Sequence, residues 1–206
     1  DYLGRNLTIN DNIFLNNAAA AIYFTSDDST SNADYNWFGH NATNYGVKPV
    51  FNRVTINNWL FLNATANIRY IQDPSDIVFK LYAYAPSEVS EYDNNRLKNV
   101  NLTLTPTNGR INTTKTGLGE SVQYTAESIG IGKLTASIEN AVYTKTLLIT
   151  DGTTFFDLNE VINGNNNDTI ILDKDYTYNP IVDNDCKKGI LVNRPVTIIG
   201  NNHTIN

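Results

Sequence analysis

The side chains that could carry chemistry are few and widely spaced. Acid–base work on a polymer needs two carboxylates facing one bond, or aspartates holding Ca²⁺ beside a basic residue. The candidate acids near the two ends of the chain are Asp27, Asp28, Asp34, Asp173, Asp175, Asp183 and Asp185. Asp27 and Asp28 are neighbours, so on a strand they point to opposite faces, and their polar loop reads as solvated. Asp183 and Asp185 share a face near Lys187 and Lys188, and read as a solvated corner or a loose cation site. Cys186 acts as a nucleophile only if His40 or His203 comes close to it, and as a crosslink only if it meets Gln72 or Gln123. A thiol filling an apolar interior is the simpler account. A lysine–asparagine bond from Lys80 or Lys98 rests on residue types alone. No spacing of His, Cys, Asp or Glu matches a metal site. No metal or cofactor is therefore expected, and no residue is put forward as catalytic.

Binding chemistry has more to work with. Tyr82 and Tyr84 alternate on a predicted strand, so they share a face, and an exposed aromatic face can hold sugar rings or a partner protein. Trp37, Phe38 and Trp59 read instead as a structural junction, each tryptophan removing on the order of 150–250 Å² from water. Asn-X-Thr sequons begin at Asn6, Asn41, Asn63, Asn101, Asn112, Asn167 and Asn202, and are candidate glycosylation sites.

The elements that must position these residues are β-strands. Asn occurs 32 times and Thr 23 times, with 12 Tyr and no Met, while Lys and Glu are thin. That is a poor supply of helix formers and a good one of strand and corner residues. Charged residues make up 17% of the chain and the net charge is −6. No basic cluster exceeds Lys187-Lys188, which argues against nucleic acid or an anionic membrane as the partner. A single Cys excludes an intrachain disulfide. No apolar run is long enough to span a membrane, and no export signal is present. The chain starts and stops inside a repeat, which predicts a piece of a longer protein.

The organisation shows in an echo. Asn6-Leu-Thr-Ile-Asn-Asp-Asn-Ile-Phe-Leu-Asn-Asn17 and Pro195-Val-Thr-Ile-Ile-Gly-Asn-Asn-His-Thr-Ile-Asn206 share short apolar steps separated by Asn-rich corners. Such steps suit stacked parallel coils, where Asn tolerates left-handed backbone and its amide bonds to the coils on either side. Between them alternation is cleaner, and strands are predicted over 60–71, 76–85, 100–105, 110–116, 121–126, 132–138 and 142–150. Seven strands with regular turns match an immunoglobulin-like sandwich. One helix is predicted near 154–163, with Thr154 or Asp157 as N-cap, followed by strands over 168–172, 189–192 and 196–199. A capping helix is what an open coil end needs.

The block Asp34-Tyr-Asn-Trp-Phe-Gly-His40, the linker Val47-Lys-Pro49 and the strand Asn58-Trp-Leu-Phe-Leu-Asn63 come in an order that resembles the adhesin-like surface proteins of methanogenic archaea. The coils at 189–206 resemble the same family, although Phe38 stands where its second Trp is common. The resemblance implies right-handed parallel β-helix of the pectin-lyase-like type flanking a bacterial-type immunoglobulin-like domain. The fold class expected is thus all-β. The expected division is 1–44 for the last coils of one β-helix, 45–56 for a linker, 57–150 for the sandwich, and 151–206 for the cap and first coils of a second helix. A single interrupted solenoid is the alternative geometry. The implied role is non-enzymatic attachment at the cell surface, toward surface proteins or glycans of other cells, with neighbouring modules or further copies meeting at the open coil ends. A polysaccharide lyase or hydrolase and a plain structural spacer are the alternatives.

Overall fold

The computed structural model describes residues 7–16, 22–23, 31–39, 50–51, 56–66, 70–85, 88–97, 99–164 and 166–206. Strand accounts for 48% and helix for 9% of it, so the class is all-β. Four short strands begin the chain: β1 (Ile22–Tyr23), β2 (Asn36–Trp37), β3 (Val50–Phe51) and the longer β4 (Trp59–Ala66). Among the described residues, the pairings of these strands with one another are parallel. Thr8 bridges Asn32, and Ile13 bridges Trp37. Asn36 and Trp37 then lie opposite Trp59 and Leu60, while β1 pairs with β3. Residues 7–16, 31–39 and 56–60 are therefore three successive rungs.

Asparagine and aspartate side chains tie the rungs. Asn12, 24 residues before Asn36, donates to its Oδ1 from the backbone N–H at 2.9 Å and from Nδ2 at 3.1 Å. Asn36 Nδ2 reaches the carbonyls of Ile9 at 2.6 Å and Ala33 at 2.7 Å. The buried Asp34 carboxylate accepts from the N–H groups of Asn57 (2.7 Å) and Asn58 (3.2 Å). Corners turn through left-handed backbone at Asp11, Asn16 and Tyr35, and two of those three are the short polar residues that tolerate it best.

The third rung runs straight into a larger sheet. After β4 come β5 (Pro74–Ala85), β6 (Glu88–Glu91), β7 (Asn101–Thr107), β8 (Gly109–Ile111), β9 (Lys115–Gly117), β10 (Ser121–Ala126), β11 (Gly130–Ile138) and β12 (Ala141–Ile149). One sheet has the order β2-β4-β5-β10-β8, with β6 also on β5, and the other β12-β11-β7-β9. Strict alternation on β4, β5 and β10 turns Leu60, Leu62, Ile77, Phe79, Leu81 and Val122 to one side. They meet Leu102, Leu104, Leu134, Ala136, Leu147 and Ile149 of the second sheet in one core. Each such aliphatic side chain contributes about 1.5–3 kcal/mol on burial.

The strand predicted over 110–116 is instead two. β8 pairs with β10 and β9 pairs with β7, so the chain crosses between sheets at 112–114. Asn112 still donates its N–H to Gln123 on one sheet, and the N–H of Leu104 on the other reaches Thr114. At the same end Tyr124 is fully buried, its hydroxyl 2.8 Å from the carbonyls of Thr107 and Asn108. Gly109 and Gly132 make room for it: a Cβ on either would come within 2.6 Å of the Tyr124 side chain.

The last quarter is parallel again. The helix α1 (Phe155–Asn163) starts at Thr154 in a capping box with Asp157. It buries Leu158 and Ile162 against Ile170, Leu172 and Tyr176. β13 (Thr169–Ile171) pairs in parallel with β14 (Thr197–Ile199), Tyr176 bridges Ile205 and Thr154 bridges Thr177. Residues 189–192, predicted as a strand, pair only through Gly189 with Lys187, and Leu191 is 81% exposed. Tyr70 bridges Thr150, which joins this part to the sheets. No described helix is long and apolar enough to cross a membrane.

Candidate functional site

The outer face of β4 and β5 carries a row of aromatic residues. Antiparallel register sets Trp59 opposite Tyr84, Phe61 opposite Tyr82 and Asn63 opposite Lys80. The ring centroids are 4.5 Å apart in the first pair and 5.9 Å in the second, both within the range of attractive ring packing. All four rings are half-buried, because the alternate residues of each strand fill the core and leave these on the outside. On the other side of β5, β6 sets Glu91 opposite Tyr82 and Val89 opposite Tyr84. Lys80 Nζ is 2.5 Å from Glu91 Oε1, and this partner holds the ammonium above its ordinary value. The result is a polar-edged aromatic strip. Tyr82 and Tyr84 share a face as their spacing requires, but the strip is completed by Trp59 and Phe61. The same period-2 alternation marks those two. What could have found them is the hairpin register, which aligns the two pairs across the strands.

Of the three residues expected at a junction, Trp59 lies on this outer strip, while Trp37 and Phe38 divide between two cores. Trp37 is 2% exposed inside the sheet core, and its Nε1 finds no hydrogen-bond partner among the described residues. Phe38 faces the other way, into the cluster with Ile22 and Ala33, and stacks on Phe14 at 5.5 Å. The rungs and sheets are also tied by Asp11, whose carboxylate takes a hydrogen bond from Tyr92 Oη at 2.7 Å and pairs with Arg96. Burial, and then the Asp11 bond, push the Tyr92 hydroxyl upward.

The acids are occupied structurally. Asp183 is 1% exposed rather than solvated at a corner. Its carboxylate accepts from the N–H groups of Phe155 (3.0 Å), Phe156 (2.7 Å) and Asn179 (2.6 Å), sealing the start of α1, where a negative charge also complements the helix dipole. Asp157 accepts from Thr154 Oγ1 at 2.7 Å and from Thr150 Oγ1 at 2.9 Å. Exposed Asp175 takes the N–H of Thr204 at 2.8 Å and faces His203 at 3.3 Å, and both lower its pKa, the backbone bond most. Asp173 and Asp185 are exposed. Asp27, Asp28, His40 and Lys98 lie outside the described residues. Among those described, no three His, Cys, Asp or Glu gather where they could hold a metal ion.

Cys186 does not fill an interior. It sits half-exposed at the end of a short turn, residues 184–186. Burial and then the neighbouring Asp183 and Asp185 raise its pKa, the opposite of nucleophile activation. Gln72 occupies a left-handed turn position, and Gln123 lies exposed on β10. Lys80 is committed to Glu91. Of the sequons, Asn101, Asn112, Asn167 and Asn202 are exposed. Asn63 is half-buried, its Oδ1 taking the Tyr143 hydroxyl at 2.6 Å. Asn6 and Asn41 lie outside the described residues.

No family model, no curated protein and no solved structure matches this chain.

Proposed function

We propose that the chain is a non-enzymatic recognition module of a cell-surface protein, attaching to other cells or their glycans through the outer face of β4 and β5. The observation that carries this reading is the half-exposed row of Trp59, Phe61, Tyr82 and Tyr84, flanked by the Lys80–Glu91 pair. Ring faces match the C–H faces of pyranoses, and charged groups at the rim match their hydroxyls. The capping of α1 by Asp157 and Asp183 supports a scaffold rather than a pair of acids working on a substrate.

In the finer reading, the parallel rungs at both ends are partial turns of right-handed parallel β-helix, and the two central sheets are an immunoglobulin-like sandwich. That is the module order of the methanogen adhesin-like proteins. The domain limits proposed are 1–44, 57–150 and 151–206, with 45–56 as the linker.

A glycan array combined with cell-binding assays tests the proposal. The wild type binds at least one glycan class, and Tyr82→Ala or Tyr84→Ala weakens it about tenfold, since losing one ring contact of about 1.4 kcal/mol is one decade in affinity. Unchanged melting of the variants shows that the loss is local. Lyase or hydrolase turnover on pectic, chitosan or mucin-type polymers sinks the reading, and a wild type that binds neither cells nor glycans leaves a structural spacer.

A further inference from the structure

Along the outer sheet face from the aromatic rings lies a polar cleft of about 390 Å³, lined by Gln72, Arg110, Thr125, Ala126 and Glu127. Register builds it. Arg110 on β8 stands opposite Thr125 on β10, and Thr125 stands opposite Pro74 at the start of β5. Alternation turns Tyr124 and Ala126 inward, so Thr125 and Arg110 face outward on the side that carries the rings. Tyr82 is eight residues further along β5 than Pro74, a separation of about 27 Å at the rise of an extended strand.

Backbone bonds fix the walls. Gln72 is held in left-handed backbone at φ 66°, a conformation that costs a residue other than Gly or Asn. Its N–H donates to the Ala126 carbonyl at 3.0 Å, and the N–H of Glu127 donates to the Asn108 carbonyl at 3.3 Å. The side chains of Gln72, Arg110 and Glu127 remain exposed. Among the described residues, neither the Arg110 guanidinium nor the Glu127 carboxylate has an ion-pair partner, although both line one cleft.

We propose that this cleft is a second saccharide site, taking one neutral pyranose by its vicinal hydroxyls between Arg110 and Glu127. Hydrogen-bond chemistry selects the ligand. A guanidinium only donates and a carboxylate only accepts, whereas a hydroxyl does both at once. Two neighbouring hydroxyls therefore satisfy the two side chains together, and the Gln72 amide and Thr125 hydroxyl serve in either role. The charges of Arg110 and Glu127 cancel, and the net charge of −6 on the whole chain opposes an anionic ligand. The described lining holds no aromatic ring, so recognition here is by hydrogen bonds rather than by stacking. The site extends the glycan reading to another place on the same face, rests on different atoms and fails separately.

Amide chemical-shift mapping on the 206-residue chain tests it. The probes are the methyl glycosides of glucose, galactose and mannose, with glucuronate and free glycine as charged controls. A neutral glycoside should shift the amides of Gln72, Thr125 and Glu127 with a dissociation constant on the order of 1–10 mM, and neither control should bind as tightly. Arg110→Ala and Glu127→Ala should each weaken it about tenfold, the loss of one hydrogen bond to a charged group. Both side chains are exposed, so the fold is retained, and unchanged shifts elsewhere check this. Tyr82→Ala should leave affinity at the cleft as it was. A sugar that shifts the aromatic strip alone leaves the proposed function standing and overturns this site. Tighter binding of glucuronate or glycine overturns it too, as does an affinity that neither cleft variant changes, or no shift of these amides by any neutral glycoside.

Discussion

At the scale of single residues, polar side chains here mostly close backbone valences. Asp183 alone satisfies three N–H groups at the entry to α1. Asp183→Ala leaves them buried without an acceptor, and stability should fall by about 2–4 kcal/mol, read as a lower urea midpoint at unchanged slope. Asp183→Asn keeps one acceptor oxygen and should lose less; equal losses would contradict the capping role. Cys186 makes a second test. Its raised pKa means less thiolate at neutral pH, so labelling by a disulfide reagent should be slower than for a free cysteine and should quicken as pH rises. Labelling as fast as a free thiol would show an activated group.

At the scale of elements, spacing was legible where contacts are local. The helix near 154–163 is found, its cap being Thr154, one of the two candidates, with Asp157 closing the capping box, and β10 covers 121–126 as its alternation requires. The division of 110–116 into β8 and β9 was not legible, because the pattern of alternation is the same whichever sheet a strand joins. β6 was also missed: Glu88-Val-Ser-Glu91 is exposed throughout, so it carries no apolar alternation and is a strand only because β5 extends past β10. The sheet-crossing end is where packing is tightest. Gly109→Ala places a Cβ 2.3 Å from the Tyr124 ring and should cost about 1–3 kcal/mol by overpacking. Chemical denaturation checks this, and a midpoint equal to that of the wild type would contradict the close packing of Tyr124 on Gly109.

At the scale of the whole molecule, one consequence of burial is pH dependence. Tyr124, Tyr143 and Tyr176 are all raised chiefly by burial, as is Tyr92. A folded-state value above the unfolded value of about 10 means the native chain keeps protons that the unfolded chain releases. Their contribution is complete below about pH 10 and is lost as pH rises through the folded values. Urea midpoints measured up the alkaline range should therefore fall steeply above about pH 10, and Tyr124→Phe should flatten part of that fall. By itself the amino-acid sequence determined the all-β class, the Asn-tied corners, the capped helix and the shared face of Tyr82 and Tyr84. Each of these depends on neighbours within a few positions, where period and corner chemistry act. Only the tertiary structure decided that Trp59 and Phe61 complete the aromatic strip, and that Asp183 lies buried under a helix 27 residues away. Those depend on which distant strands meet, and that choice is made by the shared core rather than by any local pattern.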